Sequence, residues 1–355
     1  MMVQLDMSRP ADRFLVAVYS LPENLRVRRP LEEGIIQRLS EGRNVCIRGF
    51  WRIGKTELMK AAVGGACRKE NACGFSVDLR SDSGGEALRS KGEVLEKLSD
   101  RIEHLFQAGG ASVQVDRSDP FESLSLIDGN VYVGLDEMIA LGALGDEAAR
   151  ETIALMKSAP DNVRFALVCH RNRSVDGLFQ SQIISSPRFD TFFVPPISDD
   201  ELEHIAVSPA SDLGLSFTDG ALESLSRLSG NKPWEAFIFC HLAASALDGA
   251  CHPVIDENVM SGSVNIESLM HDEHGFQVVE NYGRMLFFAM SDDERRLVTD
   301  LAAGRAADLA GYGGAACSLE ESGWIVRSPL PALRGEMLAE FLHAIGNGTI
   351  NLRVE

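Results

Sequence analysis

One short segment limits what this chain can fold into more than any other. Residues 47–58 read IRGFWRIGKTEL, and the stretch from Gly49 to Thr56 has the spacing G-x-x-x-x-G-K-[ST]. Glycines permit tight turns and close approach of the backbone, and a loop that enters a helix offers N–H groups that bind phosphate oxygens. The segment therefore predicts a phosphate-binding loop, provided that a strand precedes it and a helix follows.

The flanking sequence meets that condition. Asn44 to Arg48 is a short β-branched run that predicts a buried parallel strand. Glu57 to Ala62 consists of good helix formers, and we expect Gly64-Gly65 to end this helix. The alternative is a strand, turn and helix with a purely structural role.

The loop residues have expected roles in holding a nucleoside triphosphate. Lys55 would reach the β- and γ-phosphates and act in catalysis, and the Thr56 hydroxyl would ligate Mg²⁺. The other positions expected to contact the nucleotide are Gly49, Phe50, Trp51, Arg52, Ile53, Gly54 and Glu57.

A second segment ends in two carboxylates, as the other half of such a site requires. Gly129 to Leu135 is apolar and β-prone, and it runs directly into Asp136 and Glu137. We expect Asp136 to hold Mg²⁺ through water and Glu137 to orient and deprotonate the attacking water. The alternative is that these carboxylates only cap a helix, since Asp is common at N-caps.

A third strand is predicted at Val163–Cys169, and polar residues follow it. Arg171 is the candidate for sensing the γ-phosphate, and the alternative is a solvated strand end. Because Glu147 to Lys157 reads as a helix, strands and helices alternate. This alternation predicts an α/β fold with a parallel sheet that binds ligands at the carboxyl ends of its strands.

These motifs resemble those of the P-loop ATPases of the AAA+ and STAND superfamily, closest to the branch called archaeal-type ATPases. That branch has a G-x-R-R-x-G-K-T loop, of which this chain keeps Arg52 and replaces the other arginine with Trp51. The acidic pair 136–137 is similar to the family's acidic strand end, and Arg171 is similar to its sensor. The resemblance covers roughly residues 25–345 and implies ATP and Mg²⁺ as cofactors.

The resemblance also implies a lid after the core. Phe192 to Leu202 is similar to the last core strand and the helix start that leads into the lid. Gly230 to Pro233 is similar to a lid element that packs near the adenine, which makes Pro233 a candidate nucleotide contact.

The C-terminal part of the chain has the pattern of a winged helix. Val278 to Met290 reads as one helix, a capping box at 291–294 opens a second, and Ala315 to Ser322 is a third, followed by a wing strand at 323–327. The third helix has no basic residue, so we expect this domain to contact protein and Trp324 to be shielded. The predicted domains are an N-terminal segment (1–24), a P-loop ATPase core (25–198), a helical lid (199–250), a loop-rich linker (251–275) and a winged helix (276–355).

Charge and composition narrow the possible functions. The net charge is −18 and the isoelectric point is about 4.9, which argues against a general nucleic-acid binder. No apolar run is long enough for a membrane helix, and acidic residues stand where a signal peptide would be basic. The seven cysteines show no C-x-x-C and fit reduced thiols. We therefore expect a cytoplasmic protein without a membrane partner.

The predicted function is an ATP-binding switch that hydrolyses ATP slowly and whose domains close on the nucleotide. Its partner would be another protein or a further copy of the chain, with nucleic acid disfavoured. The alternative is a DNA-associated AAA+ ATPase of the origin-recognition or transposition-regulator type, in which Arg188 would be an arginine finger. In a monomeric switch Arg188 would pair with a local acid such as Asp190. A third possibility is a degenerate P-loop protein that binds nucleotide without turnover, against which the intact acidic pair and loop count.

Overall fold

The structure, a computed structural model, describes most of the chain from Val27 onward. The described residues are 27–50, 52–79, 90–138, 140–144, 146–170, 188–211, 214–247, 253–263, 290–305, 309–321, 324–326, 332–333, 338–339 and 341–342. Contacts divide them into two units. The sheet unit comprises Arg29–Gly49 and Lys55–Val194, and the helical unit comprises Val27, Arg28, the loop Phe50–Gly54 and the residues from Pro195 onward.

The sheet unit has a five-stranded parallel sheet, as predicted. Its strands are β1 (Asn44–Gly49), β2 (Cys73–Asp78), β3 (Val131–Asp136), β4 (Val163–His170) and β5 (Phe189–Phe193). Its helices are α1 (Arg29–Ser40), α2 (Lys55–Glu70), α3 (Lys91–Ala108), α4 (Ala140–Ala143) and α5 (Asp146–Ser158), with a 3₁₀ turn at Glu122–Leu126. The α/β fold class is therefore confirmed.

The strand order β2-β3-β4-β1-β5 brings the carboxyl ends of the strands to one edge of the sheet. At this edge Gly49 of β1 lies opposite His170 of β4, and Asp78 of β2 lies opposite Asp136 of β3. The chain leaves β1 for the far strand β2 and returns through β3 and β4, so the winding reverses between β1 and β4. Open α/β sheets bind ligands beside such a reversal.

Helix α2 continues past the two glycines that were expected to end it. It runs through Gly64 and Gly65 to Glu70, so the predicted end was wrong. A Cβ atom on Gly65 would lie 2.3 Å from Cδ1 of Ile36 in α1. The glycine therefore permits close packing of α1 on α2, and it does not act as a stop signal.

A glycine in β3 has a similar effect on the other side of α2. A Cβ atom on Gly134 would lie 2.2 Å from Sδ of Met59 and 2.8 Å from Oγ of Ser76. Because Met59 lies one turn after the start of α2, the missing side chain lets the beginning of this helix pack directly on β3.

Two elements of the sheet unit, β2 and α3, were not predicted from the sequence. In β2 the run CGFSVD carries a glycine and a serine, and only Val77 is fully buried. In α3 the side chain of Ser90 accepts a hydrogen bond from the N–H of Glu93, which is a standard N-cap.

The helical unit is built from short elements. Its helices are α6 (Asp199–Ser211), α7 (Asp219–Ser229), α8 (Pro233–Ala246), α9 (Glu257–Ser263), α10 (Asp292–Ala302) and α11 (Gly313–Glu321). Strands β6 (Ser216–Phe217) and β7 (Val254–Ile255) pair in parallel, and β8 (Ile325–Val326) and β9 (Ala332–Leu333) pair antiparallel. Helices α6, α7 and α8 lie within residues 199–250, the range of the predicted lid. Among the helices of the described residues, none is both long enough and apolar enough to span a membrane.

Within the stretch predicted to be loop-rich, the described residues 253–263 contain β7 and α9. Its apolar side chains Ile255 and Met260 are buried in the core of the helical unit. The predicted boundaries of the linker and of the other domains stay predictions.

The predicted capping box at the start of α10 is confirmed. The side chain of Ser291 accepts from the N–H of Glu294 at 3.1 Å, and the carboxylate of Glu294 accepts from the N–H of Ser291 at 2.7 Å. Trp324 is fully buried, so its predicted shielding is also confirmed. Residues 278–289 of the predicted helix and the N-terminal segment 1–24 lie outside the described residues, and the winged helix stays a prediction.

Candidate functional site

The predicted phosphate-binding loop joins β1 to α2. Gly49 is the last residue of β1, and Lys55, Thr56 and Glu57 are the first three residues of α2. Lys55 and Thr56 belong to the sheet unit, whereas Phe50–Gly54 belongs to the helical unit.

In the sheet unit, the start of α2 brings the Thr56 hydroxyl to the Asp136 carboxylate, to which it hydrogen-bonds. Asp136 ends β3, is 3% exposed, and accepts a second hydrogen bond from the N–H of Glu137 at 2.8 Å. Burial raises the pKa of Asp136, the Thr56 hydrogen bond opposes this, and the charges of Glu137 and Asp78 raise the pKa further.

This arrangement fits a divalent cation. Negative charge buried beside other carboxylates is costly, and a bound cation would remove that cost. Hydroxyl and carboxylate oxygens such as those of Thr56 and Asp136 are ligands that Mg²⁺ prefers, usually with several waters and phosphate oxygens. Among the described residues, no three or more His, Cys, Asp or Glu side chains group into a metal cage. Water and phosphate oxygens would therefore have to complete the coordination shell.

Glu137 has an unusual backbone conformation for its residue type. Its φ angle is +57°, in the left-handed region, and its side chain is buried. This conformation costs a non-glycine residue about 1 kcal/mol or more and is concentrated at functional sites. The next residue, Met138, donates its N–H to the carbonyl of Val168 in β4 at 3.2 Å, so the sharp turn is fixed to the sheet.

Lys55 is 3% exposed and begins α2. A cation at a helix N-terminus opposes the helix dipole, so this position weakens the helix and suits an anion that would lie against both. The carboxylate of Glu57 pairs with Lys60 at 3.0 Å on the helix surface. Of the groups on Glu57, the main-chain N–H is therefore the one suited to contact a phosphate.

In the helical unit, the loop begins with an aromatic anchor. Phe50 is buried, and its ring centroid lies 5.8 Å from that of Trp324 at an interplanar angle of 70°. The buried ammonium of Lys232 also contacts Trp324, with Nζ 3.8 Å from the ring centroid. The first residue of the loop is thus part of the same core as the C-terminal segment.

The predicted adenine contact Pro233 is the first residue of α8, where proline suits the helix start. The turn before it is held by Asn231, whose side-chain amide donates to Asp199 at 2.8 Å. The guanidinium of Arg52 lies 5.5 Å from the ring centroid of Trp234, the second residue of α8. Two of the predicted sites, Trp51 and Arg171, lie outside the described residues.

Two residues with contacts at the site were missed from the sequence. Asp78, which ends β2, was missed together with its strand, because the run CGFSVD is less apolar than the run VYVGLD that ends at Asp136. The second is Arg28, which was not predicted to be a site residue. Its guanidinium donates to the carbonyls of Ile53 and Pro195, each at 2.7 Å.

Arg188 lies at the other edge of the sheet. Its carbonyl accepts from the N–H of Asn44, the first residue of β1, at 3.0 Å. Five residue steps along β1 separate that edge from the loop, which is about 17 Å. Within the sheet unit, Arg188 is therefore too far from Gly49, the last residue of β1, to contact it. Asp190 is held by Arg43 at 2.8 Å and by Arg38 at 3.7 Å.

Comparison with known proteins places the fold. No family model and no curated protein matches this chain. Among solved structures, the Walker-type ATPase PABY2304 of Pyrococcus abyssi has a TM-score of 0.56 at 15% identity, covering 92% of this chain and 99% of that one. The Aeropyrum pernix ORC1 protein in complex with DNA has a TM-score of 0.51 at 12% identity, covering 93% and 96%.

A third solved structure is more distant. The Thermotoga maritima RuvB Holliday junction branch migration motor has a TM-score of 0.47 at 14% identity, covering 92% of this chain and 96% of that one. The first two likenesses concern the fold and not the activity. The chain has the α/β fold of the P-loop NTPases, with a parallel five-stranded sheet at its core.

Proposed function

We propose that this protein binds ATP with Mg²⁺ and hydrolyses it slowly. The observation that carries the proposal is the hydrogen bond between Thr56 and buried Asp136 at the carboxyl edge of the sheet, beside Glu137. When bound, Mg²⁺ would supply charge neutralisation at the β- and γ-phosphates. The name of one structural neighbour, a Walker-type ATPase, supports the same activity.

The residues have distinct roles in this proposal. Lys55 would bind the β- and γ-phosphates, Thr56 and Asp136 would hold Mg²⁺, and Glu137 would orient the water and take its proton. Arg171 would sense the γ-phosphate. Loop residues 49–54, Glu57 and Pro233 would contact the nucleotide.

Binding is tested with Lys55→Ala. This variant should lose measurable ATP binding by calorimetry, because it removes the loop's lysine cation from the phosphates. Lys69→Ala is the matched control, since Lys69 is exposed at the far end of the same helix. Equal affinity in wild type, Lys55→Ala and Lys69→Ala would end the proposal.

Hydrolysis is tested with Glu137→Gln. The amide cannot accept the proton of water, so turnover should fall by about 10²-fold or more while ATP still binds. Glu147→Gln, on the exposed surface of α5, should keep wild-type turnover. If Glu137→Gln also hydrolyses ATP at the wild-type rate, Glu137 is not the base.

We further propose that the nucleotide state acts as a switch for binding a protein partner or a further copy of the chain. Support comes from Phe50, which belongs to the phosphate loop and packs on Trp324 in the C-terminal segment. We include three further statements in the same proposal. The chain is of the STAND type, its C-terminal part is a winged helix, and the protein is cytoplasmic. Co-purification of Glu137→Gln, held with bound ATP, should recover a partner or an oligomer that Lys55→Ala does not.

The second candidate is a DNA-associated ATPase. It is favoured by the likeness to ORC1, which was solved in complex with DNA, and by Arg188 at the edge of the sheet opposite the loop. The net charge of −18 and the uncharged or acidic side chains of α11 disfavour it. Full-length protein should show no salt-dependent affinity for labelled duplex DNA. Micromolar binding, or an ATP-dependent ring whose activity collapses in Arg188→Ala, would favour this candidate.

A further inference from the structure

Within the helical unit, the side chain of Arg28 contacts the phosphate loop at a backbone carbonyl. Its Nη1 donates to the carbonyl of Ile53, and its Nη2 donates to the carbonyl of Pro195, both at 2.7 Å. The side chain is buried, and burial lowers the pKa of its guanidinium to about 10, so it stays charged at neutral pH. A buried cation with two donors on carbonyls is a strong, directional contact.

The carbonyl of Ile53 determines where the next N–H points. In a trans peptide the C=O and N–H groups point in opposite directions, because the bond is planar. A carbonyl held by Arg28 on one side therefore directs the N–H of Gly54 to the other side. Outward carbonyls and inward N–H groups are what a phosphate-binding loop needs.

Without such a contact, this peptide could rotate. Gly54 has a φ angle of +93°, a conformation that strains residues other than glycine. Glycine adopts positive and negative φ angles about equally well, so it does not by itself fix the orientation of this peptide. A Cβ atom on Gly54 would lie 3.0 Å from Nη1 of Arg28, so the two residues are closely fitted. The glycine allows the required conformation, and the arginine selects it.

Arg28 is itself fixed by its backbone. Its φ angle is +66°, and its N–H donates to the carboxylate of Glu201 in the first turn of α6. The other oxygen of that carboxylate accepts from the N–H of Ser198 at 3.0 Å. Strained backbone conformations are concentrated at functional sites. The strain at Arg28, together with the contacts that hold its N–H and its side chain, therefore indicates that its conformation serves a function.

We infer that Arg28 is a positioning residue for the phosphate loop: it holds the Ile53–Gly54 peptide with the Gly54 N–H directed toward a bound phosphate. This inference rests on the proposed nucleotide binding. It adds a residue that does not touch the nucleotide and acts through the backbone of the loop.

The test measures nucleotide affinity and the conformation of the Ile53–Gly54 peptide. Arg28→Gln should weaken binding of a non-hydrolysable ATP analogue with Mg²⁺ by about 10- to 100-fold, the range expected for losing charged hydrogen bonds. Arg28→Lys keeps the charge and one donor, so its loss should be smaller but measurable. Arg101→Met, at an exposed arginine of α3, should bind like wild type.

Selective labelling makes the peptide visible. Isoleucine precedes glycine at two places in the sequence, Ile53-Gly54 and Ile345-Gly346. Protein with carbonyl-¹³C isoleucine and ¹⁵N glycine should therefore give two correlated amide signals in a carbonyl-detected NMR experiment. In Arg28→Gln the Gly54 signal should move or split, even without nucleotide, while the Gly346 signal keeps its position.

The outcomes separate this inference from the proposed function. Wild-type affinity together with an unchanged Gly54 signal in Arg28→Gln would overturn the inference, and ATP binding by the wild type would stand. If the wild type binds no nucleotide, the proposed function fails, and the Gly54 signal of the free proteins still decides the inference. Should Arg28→Gln fail to fold, Arg28→Lys decides: wild-type affinity and an unchanged Gly54 signal would overturn the inference.

Discussion

Gly134→Ala tests whether the packing of α2 on β3 supports the site. The new methyl would lie 2.2 Å from Sδ of Met59, so the sulfur must move by about 1.5 Å to reach normal contact. Overpacking of this kind costs about 1–3 kcal/mol, and replacing a strand glycine by alanine returns about 0.5–1 kcal/mol. We expect the free energy of unfolding to fall by about 1 kcal/mol, and by no more than about 2.5 kcal/mol.

The same variant should also weaken nucleotide binding. Thr56 lies three residues before Met59 on α2, so displacement of this part of the helix lengthens the hydrogen bond to Asp136. The increase in melting temperature on adding ATP and Mg²⁺ should therefore be smaller than in wild type. Gly220→Ala is the matched control, because its new methyl meets nothing closer than 3.5 Å and should stabilise the protein by about 0.5–1 kcal/mol.

A double-mutant cycle identifies Met59 as the cause. Met59→Ala alone should cost about 2–5 kcal/mol because it leaves a cavity, whereas in Gly134→Ala the new methyl fills part of that space. The two changes measured by urea denaturation should therefore couple by about 1 kcal/mol or more. Additive costs within about 0.5 kcal/mol would refute the packing explanation.

Three further predictions concern single residues. Burial raises the pKa of Asp136, so the native state holds a proton that the unfolded state has lost between about pH 4 and the raised value, and stability falls as pH rises through that interval. Asp136→Asn should remove this fall in urea denaturation and make the nucleotide-free protein more stable at pH 7, while Mg²⁺-dependent binding weakens. Ser291→Ala should lower the free energy of unfolding by about 0.5–2 kcal/mol, since one bond of the capping box is lost; an unchanged value would count against the box. Trp324→Phe should remove an emission component that acrylamide quenches poorly, because that ring is buried; strong quenching of that component would contradict its burial.

The sequence predicted the parts of the site that depend on local order. The loop from Gly49 to Thr56 and the acidic pair 136–137 follow strands, and strand ends in a parallel sheet share an edge. Their positions followed from the hydrophobic runs alone. The end of α2 was mispredicted because Gly65 serves a contact with Ile36 in another helix, and such a contact leaves no local signal.

Contacts between distant segments of the helical unit could not be predicted from the sequence. Arg28 lies 25 positions before Ile53 and 167 positions before Pro195, and no periodicity connects them. The same is true of Phe50 and Trp324, which are far apart in the chain. Tertiary packing fixes these pairs, so a motif search finds the loop and not the residues that hold it in shape.

The division of the phosphate loop limits how this protein can be shortened. A fragment ending at residue 194 would keep the five strands, Lys55 and Asp136, yet Phe50 would lose the residues that bury it in the whole chain. Such a fragment should expose an aromatic side chain in the loop and should therefore aggregate. A chimera that takes its first 194 residues from a relative should fold correctly only when the residues around Trp324 come from the same relative.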